Sequence, residues 1–153
     1  MSDLKYQPRG KYFEEFEVGH RVMTAGRTIT ESDIVNFAGL SGDYNQIHTD
    51  EAFASQWLFG KRIAHGLLVL SIATGLAVQT GVIEGTVLAF RELDWKFSKP
   101  VFIGDTIHVE LEITETKAFP RLGGGNVTMK VTVANQNGEA VHRGNWVMLV
   151  KSK

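Results

Sequence analysis

Between Leu40 and Asp50 the chain reads LSGDYNQIHTD, which sets Asp43, Asn45 and His48 within one stretch of six residues. A carboxylate and an imidazole this close can share proton-transfer work, because histidine exchanges its proton near neutral pH. The amide of Asn45 does not titrate and suits orientation. Further on, His65-Gly66 stands directly before the apolar run GLLVLSIATGLAV. If that run is a helix, its first N–H groups lack intrahelical partners, its positive dipole end points outward, and a glycine there lets a carbonyl oxygen approach closely. The two segments together offer an acid/base pair and a backbone donor for an oxygen that gains charge.

Plainer readings compete with this one. Taken alone, SGDYN is an ordinary Asx-type turn after a helix, and His48 could be a surface or capping residue. Asp43, His48, Asp50 and Glu51 could be counted as metal ligands, but no two histidines lie one helical turn apart and none stands near His48 before His65, so no metal is expected. GGGN at 123–126 lies between two strand patterns and not ahead of a helix, which favours a mobile hairpin loop over a phosphate cradle. His65 is a candidate for shaping the loop before the helix. His20, His108 and His142 have no surrounding pattern that lifts them above surface or sheet residues.

The elements that must position these residues follow from periodicity. Residues 1–29 hold short mixed segments with Val18-Gly19 and Ala25-Gly26 as turn signals, consistent with one or two short strands. Thr30-Glu31-Ser32-Asp33 opens a helix: Thr30 can cap it, the acids suit its N-terminal dipole, and Ile34, Phe37 and Ala38 form its apolar face. That helix should stop near Ser41-Gly42. DEAFASQWLFG predicts a second short helix with Ala52, Phe53, Trp57 and Leu58 at helical spacing. The run from Gly66 to Val78 has so few polar residues that its helix must be covered on most sides.

After Thr86 the period switches to two, through VLAFRELDWKFSKPV, TIHVELEITETKAF, NVTMKVTVANQ and EAVHRGNWVMLV. Asn137-Gly138 is a two-residue hairpin signal between the last two strands. A buried helix followed by long antiparallel strands predicts one α+β domain over residues 1–153, with the sheet wrapped around the helix. By pattern, Phe37, Phe53, Trp57, Phe59, Phe90, Trp95 and Trp146 belong mostly to the core.

SGDYNQIHTDEAFA, followed by RIAHGLL and later by FSKPVFIGDTI, resembles the MaoC-like dehydratases, which include the (R)-specific enoyl-CoA hydratases and have the hot-dog fold. The resemblance runs in order over residues 10–150. The family usually has proline after the asparagine; here Gln46 takes that place. The resemblance implies reversible addition of water to a trans-2-enoyl thioester, giving an (R)-3-hydroxyacyl thioester, with no bound cofactor. It implies Asp43 and His48 as the catalytic pair, Asn45 as the residue that positions loop and water, and Gly66, beside His65, as a backbone donor to the thioester oxygen. The same fold also serves acyl-CoA thioesterases, and a non-catalytic acyl-thioester binding module is the further alternative.

Composition limits the partners. With 16 Lys and Arg against 17 Asp and Glu, the net charge of −1 gives no basic excess for nucleic acid. Zero cysteines exclude thiol catalysis, thiolate metal sites and disulfides, which suits a cytoplasmic location. The beginning, MSDLKYQPRGKYFEEF, lacks the apolar stretch of a signal peptide, and the longest apolar run falls short of the ~20 residues of a membrane span. The expected substrate is a thioester of coenzyme A or of acyl carrier protein. Lys61, Arg62, Lys96 and Lys99 are candidates for meeting the carrier's phosphates, although solvated surface charge is the ordinary reading of each. An exposed sheet edge points to a homodimer or a dimer-based oligomer.

Overall fold

Residues 4–153 are described in a computed structural model. Two short strands, β1 (Arg21–Met23) and β2 (Arg27–Thr28), precede four helices: α1 (Glu31–Ser41), α2 (Gln46–Thr49), α3 (Glu51–Ser55) and α4 (Gly66–Gln79). Four long strands follow, β3 (Val87–Phe97), β4 (Thr106–Phe119), β5 (Gly124–Ala134) and β6 (Ala140–Lys151). They form an antiparallel sheet in the order β1-β4-β5-β6-β3, with β2 also paired to β4. This is the α+β hot-dog arrangement that the sequence led us to expect, with the sheet packed around α4.

Alternation decides which face of the sheet is buried. Ile107, Val109, Leu111 and Ile113 of β4 and Val127, Met129, Val131 and Val133 of β5 all point into one core. Trp146, Met148 and Val150 of β6 extend it, and Leu68, Val69, Ala73, Leu76 and Ala77 of α4 fill it from the other side. Covering is incomplete along one stripe of α4, where Leu67, Ser71, Gly75 and Val78 are exposed. The edge strand β3 is bare as well, with Leu88, Phe90 and Leu93 exposed. No helix among the described residues is long and apolar enough to cross a membrane.

Local chemistry fixes the ends of α1. Thr30 Oγ1 accepts from the Asp33 N–H at 3.2 Å, and the Asp33 carboxylate accepts from the Thr30 N–H at 2.8 Å, a reciprocal capping box. Arg27 braces the same carboxylate at 2.7 Å. At the far end Gly42 takes the left-handed conformation, φ 77°, and its N–H closes the helix on the Ala38 carbonyl. The chain therefore leaves α1 sharply and delivers Asp43 to the next element.

Several details depart from the sequence reading. The second short helix ends at Ser55, so Trp57 and Leu58 lie outside it, 60% and 79% exposed. Phe59 and Phe90 are exposed too, so these aromatic residues are not core. The 123–126 run is not a mobile loop. Gly124, Gly125 and Asn126 belong to β5, where a Cβ on Gly124 would come 1.9 Å from the Val150 carbonyl oxygen. The glycines serve close strand approach. Finally, the β5–β6 hairpin is not a two-residue type I′ turn: only Gly138 has positive φ (74°), and the Asn135 side chain accepts from the N–H groups of Asn137 and Glu139.

Candidate active site

The polar stretch after α1 is partly helical. Asn45 caps α2, its side-chain oxygen accepting from the Ile47 N–H at 3.3 Å, and the Asp43 carboxylate accepts from the Asn45 N–H at 3.1 Å. Gln46 is therefore the first helical residue, a position where proline is also well tolerated. His48 stands on α2 and not on a loop, 7% exposed, whereas Asp43 is exposed. A strip just before α4 closes over this unit. The Ile63 N–H donates to the Ile47 carbonyl at 3.1 Å, and the Ala64 N–H donates to the Val101 carbonyl at 2.8 Å.

These contacts orient both imidazoles. His48 Nδ1 lies 2.7 Å from the Ile63 carbonyl, which can only accept, so Nδ1 carries the proton and Nε2 is left with a lone pair. Burial pushes His48 below the usual imidazole range; the bond to Ile63 opposes that shift, His65 adds to it and Asp43 opposes it. Neutral His48 thus presents a basic nitrogen. His65, 2% exposed, donates from Nε2 to the Asp43 main-chain carbonyl at 2.9 Å. Its ring stacks on His48 with centroids 3.9 Å apart and packs against Phe37 at 4.9 Å. His65 is thereby wedged between the Asp43 backbone and the His48 ring.

Asp43, His48, His65 and Gly66 all line one cavity of about 360 Å³, closed elsewhere by Phe59, Phe97, Val101 and His142. Asn45 is not in its wall and acts on it through the Asp43–α2 turn. Gly66 opens α4, and the N-cap His65 supplies no side-chain bond to the helix end, so the first N–H groups of α4 remain available on the cavity side. A Cβ on Gly66 would meet the Phe97 ring at 2.5 Å, so only glycine fits here without moving that wall.

The donor atoms of Asp43, His48 and His65 lie within 4.8 Å of one another, close enough to ask whether they could hold a metal. Each ring commits one nitrogen to a main-chain carbonyl and keeps the other, and the two rings stack at an interplanar angle of 28°, so the cluster retains one uncommitted nitrogen per ring beside the Asp43 carboxylate. Of the cationic candidates, Arg62 is occupied by Glu31 and Glu51, Lys99 by Glu139, and Lys61 lies over the Phe102 ring. Sequence reasoning missed His142, which is buried on β6 and forms part of the cavity wall. Its signal was present, since it lies in phase with Trp146, Met148 and Val150.

Known proteins share this architecture. The chain is 43% identical over 111 residues to Protein MaoC of Klebsiella aerogenes, a match covering 72% of this chain and 33% of that protein. Thus the chain spans about a third of that longer relative. It is 35% identical over 101 residues to the (R)-specific enoyl-CoA hydratase of Aeromonas caviae, covering 66% of this chain and 73% of that one. Among solved structures, a monoamine oxidase regulatory protein from Archaeoglobus superposes with a TM-score of 0.87 at 40% identity, over 94% of this chain and 96% of the other. Residues 15–135 match the family described as MaoC like domain, and with that span and these relatives the chain belongs to the MaoC-like domain family.

Proposed function

We propose that the protein hydrates a trans-2-enoyl thioester of coenzyme A reversibly, giving the (R)-3-hydroxyacyl thioester. The observation that carries this reading is the convergence of Asp43, the free Nε2 edge of His48 and the N-terminus of α4 at Gly66 on one cavity. The name of the Aeromonas relative supports the reaction and its stereochemistry. An acyl carrier protein could carry the same thioester.

Each part has a task. A water held between Asp43 and His48 adds its oxygen to the β-carbon while its proton passes to the pair. The electrons of the double bond move to the thioester oxygen, and the Gly66 N–H stabilises the resulting enolate; one such donor is typically worth ~10²–10³ in turnover. The pair then returns a proton to the α-carbon, so that one water has been added. Asn45 holds the Asp43 turn and α2 in register, and His65 fixes the Asp43 backbone and the plane of His48. Thioester hydrolysis would instead need a carboxylate that directs water at the carbonyl carbon. A binding module would need neither Asp43 nor His48.

A second copy of the chain is part of the proposal. Pairing along β3 would cover Leu88, Phe90 and Leu93 and the bare stripe of α4, and would remove an open sheet edge.

The test is the loss of enoyl absorbance when the protein meets crotonyl-CoA, in parallel with Asp43→Asn and His48→Gln. Each substitution should slow hydration by ~10²–10⁴ while circular dichroism and ligand binding persist. Undiminished turnover in either variant would remove that residue from the mechanism.

A further inference from the structure

One polar group in the cavity wall has no part in the hydration step. His142 sits on β6 between Val133 of β5 and Phe97 of β3 and is only 3% exposed. Its neighbours are aromatic: Phe97 and Trp95 meet it edge-on, with centroids 5.1 Å and 6.1 Å away. Trp95 in turn stacks on the fully buried Trp146, so His142 marks the core side of the cavity. Lys99, half exposed and paired with Glu139, marks the solvent side.

The state of this imidazole follows from its surroundings. Burial alone lowers it to about 4, so it is neutral at physiological pH and carries a single ring proton. Nδ1 is sealed from solvent and has no hydrogen-bond partner among the described residues. A sealed lone pair is tolerated better than a sealed N–H. The proton therefore belongs on Nε2, the nitrogen left to face the cavity.

We infer that His142 is a specificity residue whose Nε2–H donates to an uncharged oxygen, a hydroxyl or carbonyl, carried by the acyl chain beyond the double bond. This rests on the enoyl-thioester reading above. The anionic carrier must stay toward solvent, which leaves the acyl tail as the part that reaches the core side. An aromatic wall whose lining cation, Lys99, is already paired with Glu139 penalises a carboxylate as it penalises an imidazolium. A plain alkyl tail would leave the buried donor unpaired, and sites built around a hydrogen bond reject substrates that cannot make it.

A matched pair of substrates tests this, hex-2-enoyl-CoA and 5-hydroxypent-2-enoyl-CoA, which differ by a methyl against a hydroxyl of similar size. The wild type should prefer the hydroxylated substrate in kcat/KM by ~10–100-fold. His142→Phe should abolish or reverse that preference, and His142→Gln, which keeps a donor, should retain part of it. Equal use of the two substrates by the wild type, with hydration intact, would overturn the role of His142. So would equal losses on both in His142→Phe, because the contact would then lie with the shared carrier or the fold. Failure of the wild type to hydrate crotonyl-CoA and both of these substrates would overturn the reaction itself.

Discussion

Protonation of His142 should couple folding to pH in a way that one substitution removes. In the unfolded chain the imidazole titrates near its ordinary 6.5, whereas burial holds it at about 4 in the fold. Below 6.5 the unfolded state takes up a proton that the folded state refuses, so stability falls as the pH drops from 6.5 toward 4 and levels off beneath that. At ~1.36 kcal/mol per unit the full gap is worth about 3 kcal/mol, of which about 2 kcal/mol is already lost at pH 5. His142→Phe abolishes this proton linkage. Urea denaturation of both proteins at pH 7.5 and pH 5.0, at one protein concentration, yields the difference of differences. Other titrating groups, including His48 with its lowered value and the same sign, are common to both proteins and cancel. The variant should lose about 2 kcal/mol less than the wild type between the two pH values. Equal losses would refute the account of a neutral, buried His142.

Three further outcomes follow from packing. Gly124→Ala should destabilise by more than the ~1–3 kcal/mol of ordinary overpacking, because the obstructing atom is the Val150 carbonyl oxygen and not a movable side chain; thermal melting reads this. Thr30→Ala should cost ~0.5–2 kcal/mol through loss of the α1 cap, with hydratase turnover at saturating substrate unchanged, as denaturation and kinetics together report. Light scattering at micromolar concentration should give at least twice the 17.0 kDa of one chain, and a mass equal to one chain would exclude the proposed pairing along β3.

Most of the frame was legible because burial follows periodicity. The strict alternation of Ile107, Val109, Leu111 and Ile113 identified both a strand and its inner face, and Thr30 and Gly42 bounded α1 by capping chemistry that is local in sequence. Long-range constraints were not legible. Gly124 and Gly125 look like a loop until Val150 and Phe13 are brought against them. Trp57 and Leu58 share a helical period with Phe53, but the helix ends before reaching them. His142 was overlooked because a lone histidine in a strand carries no local mark, and only the phase of its neighbours places it inward. The convergence of Asp43, His48 and His65 is likewise tertiary: His65 reaches back across 22 residues to the Asp43 carbonyl.

The stacked imidazoles of His48 and His65 limit how much charge this corner can store. Two positive rings with centroids 3.9 Å apart would repel by on the order of 4 kcal/mol at an effective dielectric constant of about 20. His48 is therefore kept neutral from two sides, by its burial and by the ring stacked on it, and its unshared Nε2 edge stays open to take a proton from a water in the cavity.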